Sequence, residues 1–424
     1  MKILWVVNLM LPDIAMQLGL PYSNREGWLS GIFNKMNGEM GGYELAVAFP
    51  VSKDSSIEPL YVRNIKCFPF KEDLNTPYIY DAALEEEFKN IIEEFKPDIL
   101  HIFGTEFPHG LASAKVFGDP SKTLVGIQGI CTLIAEDYMA NIPEKVQKGA
   151  TFRDVLKKDS LTEQQSKFML RAENERKLLK IAGCVTGRTD FDKNFTKKIN
   201  PDRKYYLMHE TMRKSFYEGK WNSENIRKNR IFIGQGDYPL KGMHFLLEAA
   251  GKVKSEIPDL EIVVAGNSII DCSSLKKRIK LPQYGKYLRK LIKKYKLSNH
   301  VRILGPLTEE AMKEQYLKAN VFILPSYVEN SPNTIAEAML LGMPVIASDA
   351  GGITSVISEK EGYIFKRGNV EELAELIKAV LLAESTDSEK VENKCNQAAA
   401  RAKRDYDPSE NSRRLFEIYD DMMA

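Results

Sequence analysis

Short β-rich runs separated by helical patterns recur along this chain, and that alternation restricts its fold more than any other feature. The first series is Ile3 to Val7, Leu45 to Pro50, Ile99 to Phe103, Leu124 to Ile127 and Cys184 to Gly187. A second runs through Arg230 to Gly234, Ile262 to Ala265, Val301 to Leu304, Val321 to Leu324 and Pro344 to Ala347. Strands joined through helices are parallel, and parallel sheets carry helices on both faces. Two such series in 424 residues exceed what one hydrophobic core usually serves. The pattern predicts an α/β protein of two Rossmann-like domains, each a doubly wound parallel sheet. Asn200, Pro201 and a polar stretch interrupt it between Thr196 and Lys228, which places an N-terminal domain over 1–205 and a C-terminal domain over 206–405. The charged, strand-free segment 135–180 reads as a helical insertion of the first domain. Leu415, Ile418, Tyr419 and Met422 have helical spacing, so 406–424 forms a final helix.

Hydrophobic residues make up 43% of the chain and charged residues 28%, which is ordinary for a globular protein and excludes disorder. Five scattered cysteines give neither a disulfide framework nor a zinc site and fit a reducing compartment. The start MKILWVVNLMLPD reads as a first strand rather than a signal peptide. No apolar run reaches the ~20 residues that cross a bilayer, so a cytoplasmic location is expected, with any membrane contact peripheral at the inner face. One segment bears on such contact. From Lys276 to Lys296 the chain carries ten basic residues and no acidic one. It reads either as a solvated helix face with Leu288, Leu291 and Ile292 buried, or as an electrostatic foot on an anionic membrane. Nucleic acid is not expected as a partner, because Tyr284, Tyr287 and Tyr295 fall in no base-stacking motif.

Ligands of doubly wound sheets gather beyond the carboxyl ends of the strands, and the cleft between two such domains is the default site. Within YVENSPNTIAEAMLLGMPVIASDAGG, Tyr327 to Gly352, two carboxylates, Glu329 and Glu337, stand with seven residues between them around a Ser-Pro-Asn-Thr turn. The strand before it ends at Pro325, a loop carries Glu329, and Ser331 to Thr334 offer capping side chains to a helix over Ile335 to Leu341. The positive end of that helix suits a phosphate, and Glu337, one turn inside, suits a diol. A second strand, turn and helix, Ile231 to Ala250, has Gly234, Gly236 and Gly242 for close backbone approach and Lys241 at the turn. Two phosphate-type turns in one domain, one bearing a lysine and the other two acids, are more than solvated surface would require.

These residues resemble the retaining family-four glycosyltransferases (group 1) of the GT-B fold, of the bacterial polysaccharide-biosynthesis type. The resemblance rests on the Glu329 and Glu337 pair, the run from Glu337 to Val345, Gly352 in a Gly-Gly turn, Lys241-Gly242, and Gly-Pro-Leu at 305 to 307. It covers most of the C-terminal half, and more loosely EGWL from Glu26 and PDILHIFGTE from Pro97. It implies that the terminal helix packs back on the N-terminal domain, that Glu329 contacts the transferred sugar and that Glu337 binds the ribose. It further implies that Ser331, Pro332, Asn333 and Thr334 hold the diphosphate with Lys241, that Gly27, in the loop after the first strand, approaches the diphosphate or the acceptor, and that Gly266 approaches the donor. Lys241 and Glu329 are then the catalytic pair. UDP is favoured over GDP, the acceptor is a saccharide or lipid-linked saccharide, and no metal or other cofactor is expected.

Two departures stand out. Gln235 takes the place of an Arg that many relatives carry, with Arg188 or Arg213 as substitutes, and Gln128 takes that of a His. Glu106, His109, Gln128 and Arg188 are the expected acceptor-side residues, while His101 reads as a satisfied core residue. The rivals are a sugar-nucleotide epimerase, a degenerate sugar-nucleotide-binding protein, and a glycoside hydrolase, in which the phosphate-type turns have no purpose.

Overall fold

A computed structural model of the protein describes residues 1–21, 27–39, 42–383 and 385–424. The chain divides into two compact units, the first made of 1–135, 167–213 and 406–424, the second of 136–166 and 214–405.

The sheet of the first unit contains β1 (Lys2–Val6), β2 (Glu44–Ser52), β3 (Leu60–Val62), β4 (Ile65–Glu72), β5 (Ile99–Phe103), β6 (Thr123–Gly126), β7 (Cys184–Gly187) and β8 (Lys204–Leu207). Their order is β3-β4-β2-β1-β5-β6-β7-β8, parallel except that β3 runs antiparallel to β4. Alternate residues serve opposite faces: Ile3, Trp5 and Val7 enter one core, Leu4 and Val6 the other. That two-sided burial is why β1 reads as unbroken apolar sequence. The strand order reverses between β1 and β5, so the loops after these two strands lie side by side at the carboxyl edge.

The final helix, Pro408–Met423, is capped by Asp407 and buries Leu415, Ile418, Tyr419 and Met422 in the first core. Its Tyr419 hydroxyl accepts from the Trp5 indole N–H at 2.8 Å and meets His101 Nδ1 at 2.7 Å.

The second unit is wholly parallel: β9 (Arg230–Ile233), β10 (Glu261–Val264), β11 (Val301–Ile303), β12 (Val321–Leu324), β13 (Val345–Ser348) and β14 (Tyr363–Phe365), in the order β11-β10-β9-β12-β13-β14. Here the order reverses between β9 and β12. The turns after these strands, the two that the sequence singles out, are therefore neighbours.

Two boundaries differ from the sequence reading. The first unit runs to Arg213 rather than 205, and residues 136–166 of the helical segment cluster with the second unit. Polar contacts account for this: Ala140 O meets His244 Nε2 at 2.9 Å, Asp137 meets Arg367 at 2.8 Å, and Asp154 accepts from Gln283 N at 2.9 Å. The basic segment is also two helices, Leu275–Ile279 and Gln283–Lys294, rather than one face. Leu288 and Leu291 are buried and Ile292 only partly so.

Each unit buries a histidine. Desolvation lowers His101 from 6.5 to about 3, and it lowers His244 to about 4 despite the opposing bond to Ala140 O. The folded ring holds its proton less tightly than the unfolded one, so each contributes stability that is complete above pH 6.5 and lost as pH falls toward the folded value. Across that window each costs about 1.4 kcal/mol per pH unit. Denaturant titrations should show this acid loss shallower in His101→Gln and His244→Gln, and equal slopes in variants and parent would contradict the assignment.

Candidate functional site

The turn after β9 runs from Gly234 through a short 3-10 turn, Pro239–Lys241, into the helix Met243–Val253. Gly242 has φ +70° and lies so close to the end of β12 that a Cβ would fall 1.8 Å from the Pro325 carbonyl oxygen. Only glycine permits that approach. Beside it the Tyr327 amide donates to Leu240 O at 2.7 Å, fixing the register of the two turns.

This contact sets Lys241 against Glu329, with Nζ 2.6 Å from Oε1 and both side chains largely buried. Ser326 Oγ donates to the same carboxylate oxygen at 2.9 Å, and Ser326 O in turn accepts from Ser348 Oγ at 2.6 Å. Burial pulls the Lys241 ammonium down, but the charge of Glu329, then that of Tyr238, outweighs it and the net shift is upward. Lys241 therefore stays a cation at any working pH.

The helix after β12 spans Asn333–Leu341, two residues longer at its start than the sequence suggests. Capping was expected from the side chains of Ser331 to Thr334, but Pro332 occupies the N-cap and no side chain caps the helix. A prolyl ring offers no oxygen acceptor. The first-turn N–H groups therefore lack a capping side chain, and a negative charge in front of them is favoured. Thr334 packs on Gly234, where a Cβ would come 3.1 Å from its Cγ2, so both phosphate-type turns meet at this helix start. Ser331, Asn333 and Thr334 are partly exposed there. Glu337 is buried, and one of its oxygens accepts from the Tyr316 hydroxyl at 3.3 Å.

Gly266, with φ +91°, ends β10 beside this turn; its N–H donates to Gly305 O at 2.9 Å, and a Cβ there would lie 3.8 Å from Gln235 Cγ. Gln235 itself is exposed and donates to Asp237 at 2.8 Å. It adds no cation. Gly27 does not lie in the loop after β1: the helix Pro12–Gln17 intervenes, and Gly27 opens a second helix, Gly27–Glu39. Its surroundings, like Glu26, lie outside the described residues.

In the first unit the loops after β1 and β5 form one polar chain. Glu106 accepts from Gly129 N at 3.1 Å and from Asn8 Nδ2 at 3.5 Å, while Asn8 Oδ1 faces His109 Nε2 at 3.1 Å. The other ring nitrogen of His109 meets Glu72 at 3.0 Å, and this histidine, 1% exposed, reaches no open surface as an acceptor contact would require. Glu106 is the partly exposed end of the chain. Gly104, φ +96°, makes room for it, since a Cβ there would fall 2.2 Å from the Glu106 carboxylate. Arg188 is likewise spent: it is buried, ion-paired with Glu210, and donates to Ile127 O at 2.5 Å. That use removes it as a stand-in for the arginine missing at Gln235. Gln128 lines a recess beside it. Sequence reasoning missed Ser326, Tyr316, Asn8 and Glu72; a polar residue just past a fully apolar strand, as at Ser326 and Asn8, was the available signal.

Residues 216–403, which lie within the second unit, match the family of glycosyl transferases group 1. A phosphatidyl-myo-inositol mannosyltransferase of Mycobacterium leprae is 27% identical over 197 residues, 46% of this chain and 47% of that protein. The match spans less than half of that relative, and the other first curated relatives are spanned over only 19% and 16%. Among solved structures, a sucrose-phosphate synthase from Thermosynechococcus elongatus superimposes with a TM-score of 0.71 at 14% identity, over 100% of this chain and 99% of that one. Anabaena HepE in complex with UDP-glucose does so at 0.65 and 16%, over 99% and 100%. At such identities the likeness shows the fold, which is GT-B: two parallel-sheet α/β domains.

Proposed function

We propose that the protein is a retaining glycosyltransferase that moves a sugar from a nucleoside-diphosphate sugar, UDP rather than GDP, to a hydroxyl of a saccharide or lipid-linked saccharide. The observation that carries the reading is the meeting, at the switch point of the second sheet, of a permanent cation, a helix start without a side-chain cap and a partly exposed carboxylate. The match of residues 216–403 and the UDP-glucose held by a protein of the same fold support it.

In this reading the diphosphate lies before Asn333 and Thr334, and Lys241 turns from Glu329 to a phosphate oxygen. Glu329, released, accepts hydroxyls of the transferred sugar, and Glu337 accepts those of the ribose. As the bond from the anomeric carbon to the diphosphate oxygen breaks, charge collects where Lys241 and the helix N–H groups already stand, so the barrier falls without reorganisation. The acceptor oxygen bonds to the same face of the anomeric carbon, and its proton goes to the departing phosphate. With charge neutralised this way, no metal ion is invoked.

Thermal-shift measurements with UDP-glucose, GDP-mannose and ADP-glucose, with and without magnesium, test the donor class. Saturation at a hundredfold excess over Kd stabilises the fold by about 2.7 kcal/mol. A magnesium-independent response to the UDP sugar, lost in Glu337→Ala, is expected, and transfer to acceptors should vanish in Glu329→Ala. Interconversion of the sugar without any acceptor would instead mean an epimerase, and binding without turnover a degenerate member.

The cytoplasmic enzyme we propose also touches an anionic membrane. No helix among the described residues is long and apolar enough to cross one. In the second unit Phe152, Val155, Leu156, Leu275 and Ile279 are 59–75% exposed, the first three on one helix face. Asp154, on the same short helix, accepts from the backbone amide of Gln283, where the helix Gln283–Lys294 begins, four residues past Ile279. Apolar side chains beside ten basic residues fit an anionic lipid surface, each cation adding about 1 kcal/mol. The protein should sediment with phosphatidylcholine–phosphatidylglycerol vesicles but not phosphatidylcholine alone, and less so as Phe152→Ser/Leu156→Ser. Equal sedimentation with both would remove the proposal.

A further inference from the structure

At the carboxyl ends of β5 to β8 the first unit holds a recess open to solvent, lined by His101, Gly126, Thr186, Arg188 and Glu210 among others. Nothing in the donor-site reading uses it. Its chemistry follows from the hydrogen bonds behind it. The Trp5 indole N–H can only donate, so the Tyr419 oxygen accepts from it. The remaining partner of that hydroxyl is His101 Nδ1, at 2.7 Å. If Nδ1 carried the imidazole proton, both the Tyr419 hydrogen and the Nε2 lone pair would be stranded in the core; with the proton on Nε2, only that N–H is left over. The network thus assigns the Nε2–H tautomer. Burial keeps the ring neutral by lowering it to about 3.

That N–H is buried and has no hydrogen-bond partner. The space before it is open because residue 126 is glycine: a Cβ would stand 3.7 Å from His101 Nε2 and 3.2 Å from Thr186 Oγ1. Across the lining, Glu210 Oε1 is ion-paired with Arg188 while its Oε2 is buried without a partner. The recess therefore presents an unused donor, an unused acceptor and a cation already neutralised. An anion would face the open Glu210 oxygen, and an apolar group would leave both polar atoms orphaned. A hydroxyl group can both accept and donate.

We infer that this recess binds a neutral polyhydroxyl group, one hydroxyl accepting from His101 Nε2–H and another donating to Glu210 Oε2. The inference rests on the proposed function only in reading that group as part of the acceptor.

Histidine-labelled full-length protein tests it, since the chain has only five histidines and ring nitrogen shifts report the tautomer. With UDP present to occupy the donor site, the probes are glycerol, glucose, myo-inositol and glucose 6-phosphate. His101 should appear as the Nε2–H form, and its resonances should move with at least one neutral polyol. Glucose 6-phosphate should bind about tenfold more weakly than glucose, with that gap narrowed in Glu210→Gln. Gly126→Ser, shown folded by its melting curve, should abolish the response. If it does not fold, the Glu210→Gln comparison decides. An Nδ1–H ring overturns the inference, as do silence toward every polyol, which means a recess holding only water, and equal binding of the phosphorylated sugar. The readout needs neither donor nor turnover, so a failure of glycosyl transfer leaves it standing, and transfer without a His101 response defeats it alone.

Discussion

The second domain depends on one backbone contact. Gly242 and the Pro325 carbonyl approach so closely that no side chain fits between them, and that approach turns two separate strand-ends into one site. The parallel order β9-β12 makes the turns neighbours, the missing Cβ lets them touch, and the Leu240 to Tyr327 hydrogen bond fixes their register. Lys241 and Glu329 meet as a result. A largely buried ion pair is a weak source of stability, because desolvation offsets most of its attraction. In the proposed reading it holds a cation ready beside a helix start that no side chain caps.

The first domain depends on a different closure. Residues from its first strand, its central strand and its last helix meet at the Trp5, Tyr419 and His101 network, so the chain's end completes a core begun by its start. The same network settles which nitrogen of His101 carries hydrogen and so gives the recess beside it a defined polarity. Structure and recognition are read from one set of bonds there.

Much of the architecture was legible because buried parallel strands are short apolar runs. The strands missed were β3, β4, β8 and β14. In β4, Pro69 and charged neighbours disguise the pattern, yet β3 pairs only with Ile65 to Cys67, so the proline has no partner awaiting its N–H on that side. The other three are three or four residues long and mostly half exposed. Lys241, Glu329 and the glycine turns were legible through spacing and family resemblance. The allegiance of residues 136–166 was not, since their partners His244, Gln283 and Arg367 are 104, 129 and 230 positions away. Nor was the burial of His109 and Arg188, because sequence shows that a polar residue follows a strand but not which carboxylate awaits it.

The central claim is that Lys241 exchanges Glu329 for the donor's diphosphate. Calorimetric titration of UDP into the parent, Lys241→Met, Glu329→Gln and the double variant tests it directly, since UDP carries the diphosphate but no sugar. Removing Lys241 should weaken UDP by tenfold or more, because a desolvated cationic contact to phosphate is worth several kcal/mol. Glu329→Gln should bind UDP at least as well as the parent, the lysine no longer being held, and this gain should disappear in the double variant. Unchanged UDP affinity in Lys241→Met would contradict the account, because the diphosphate would then be held elsewhere and the ion pair would be only structural.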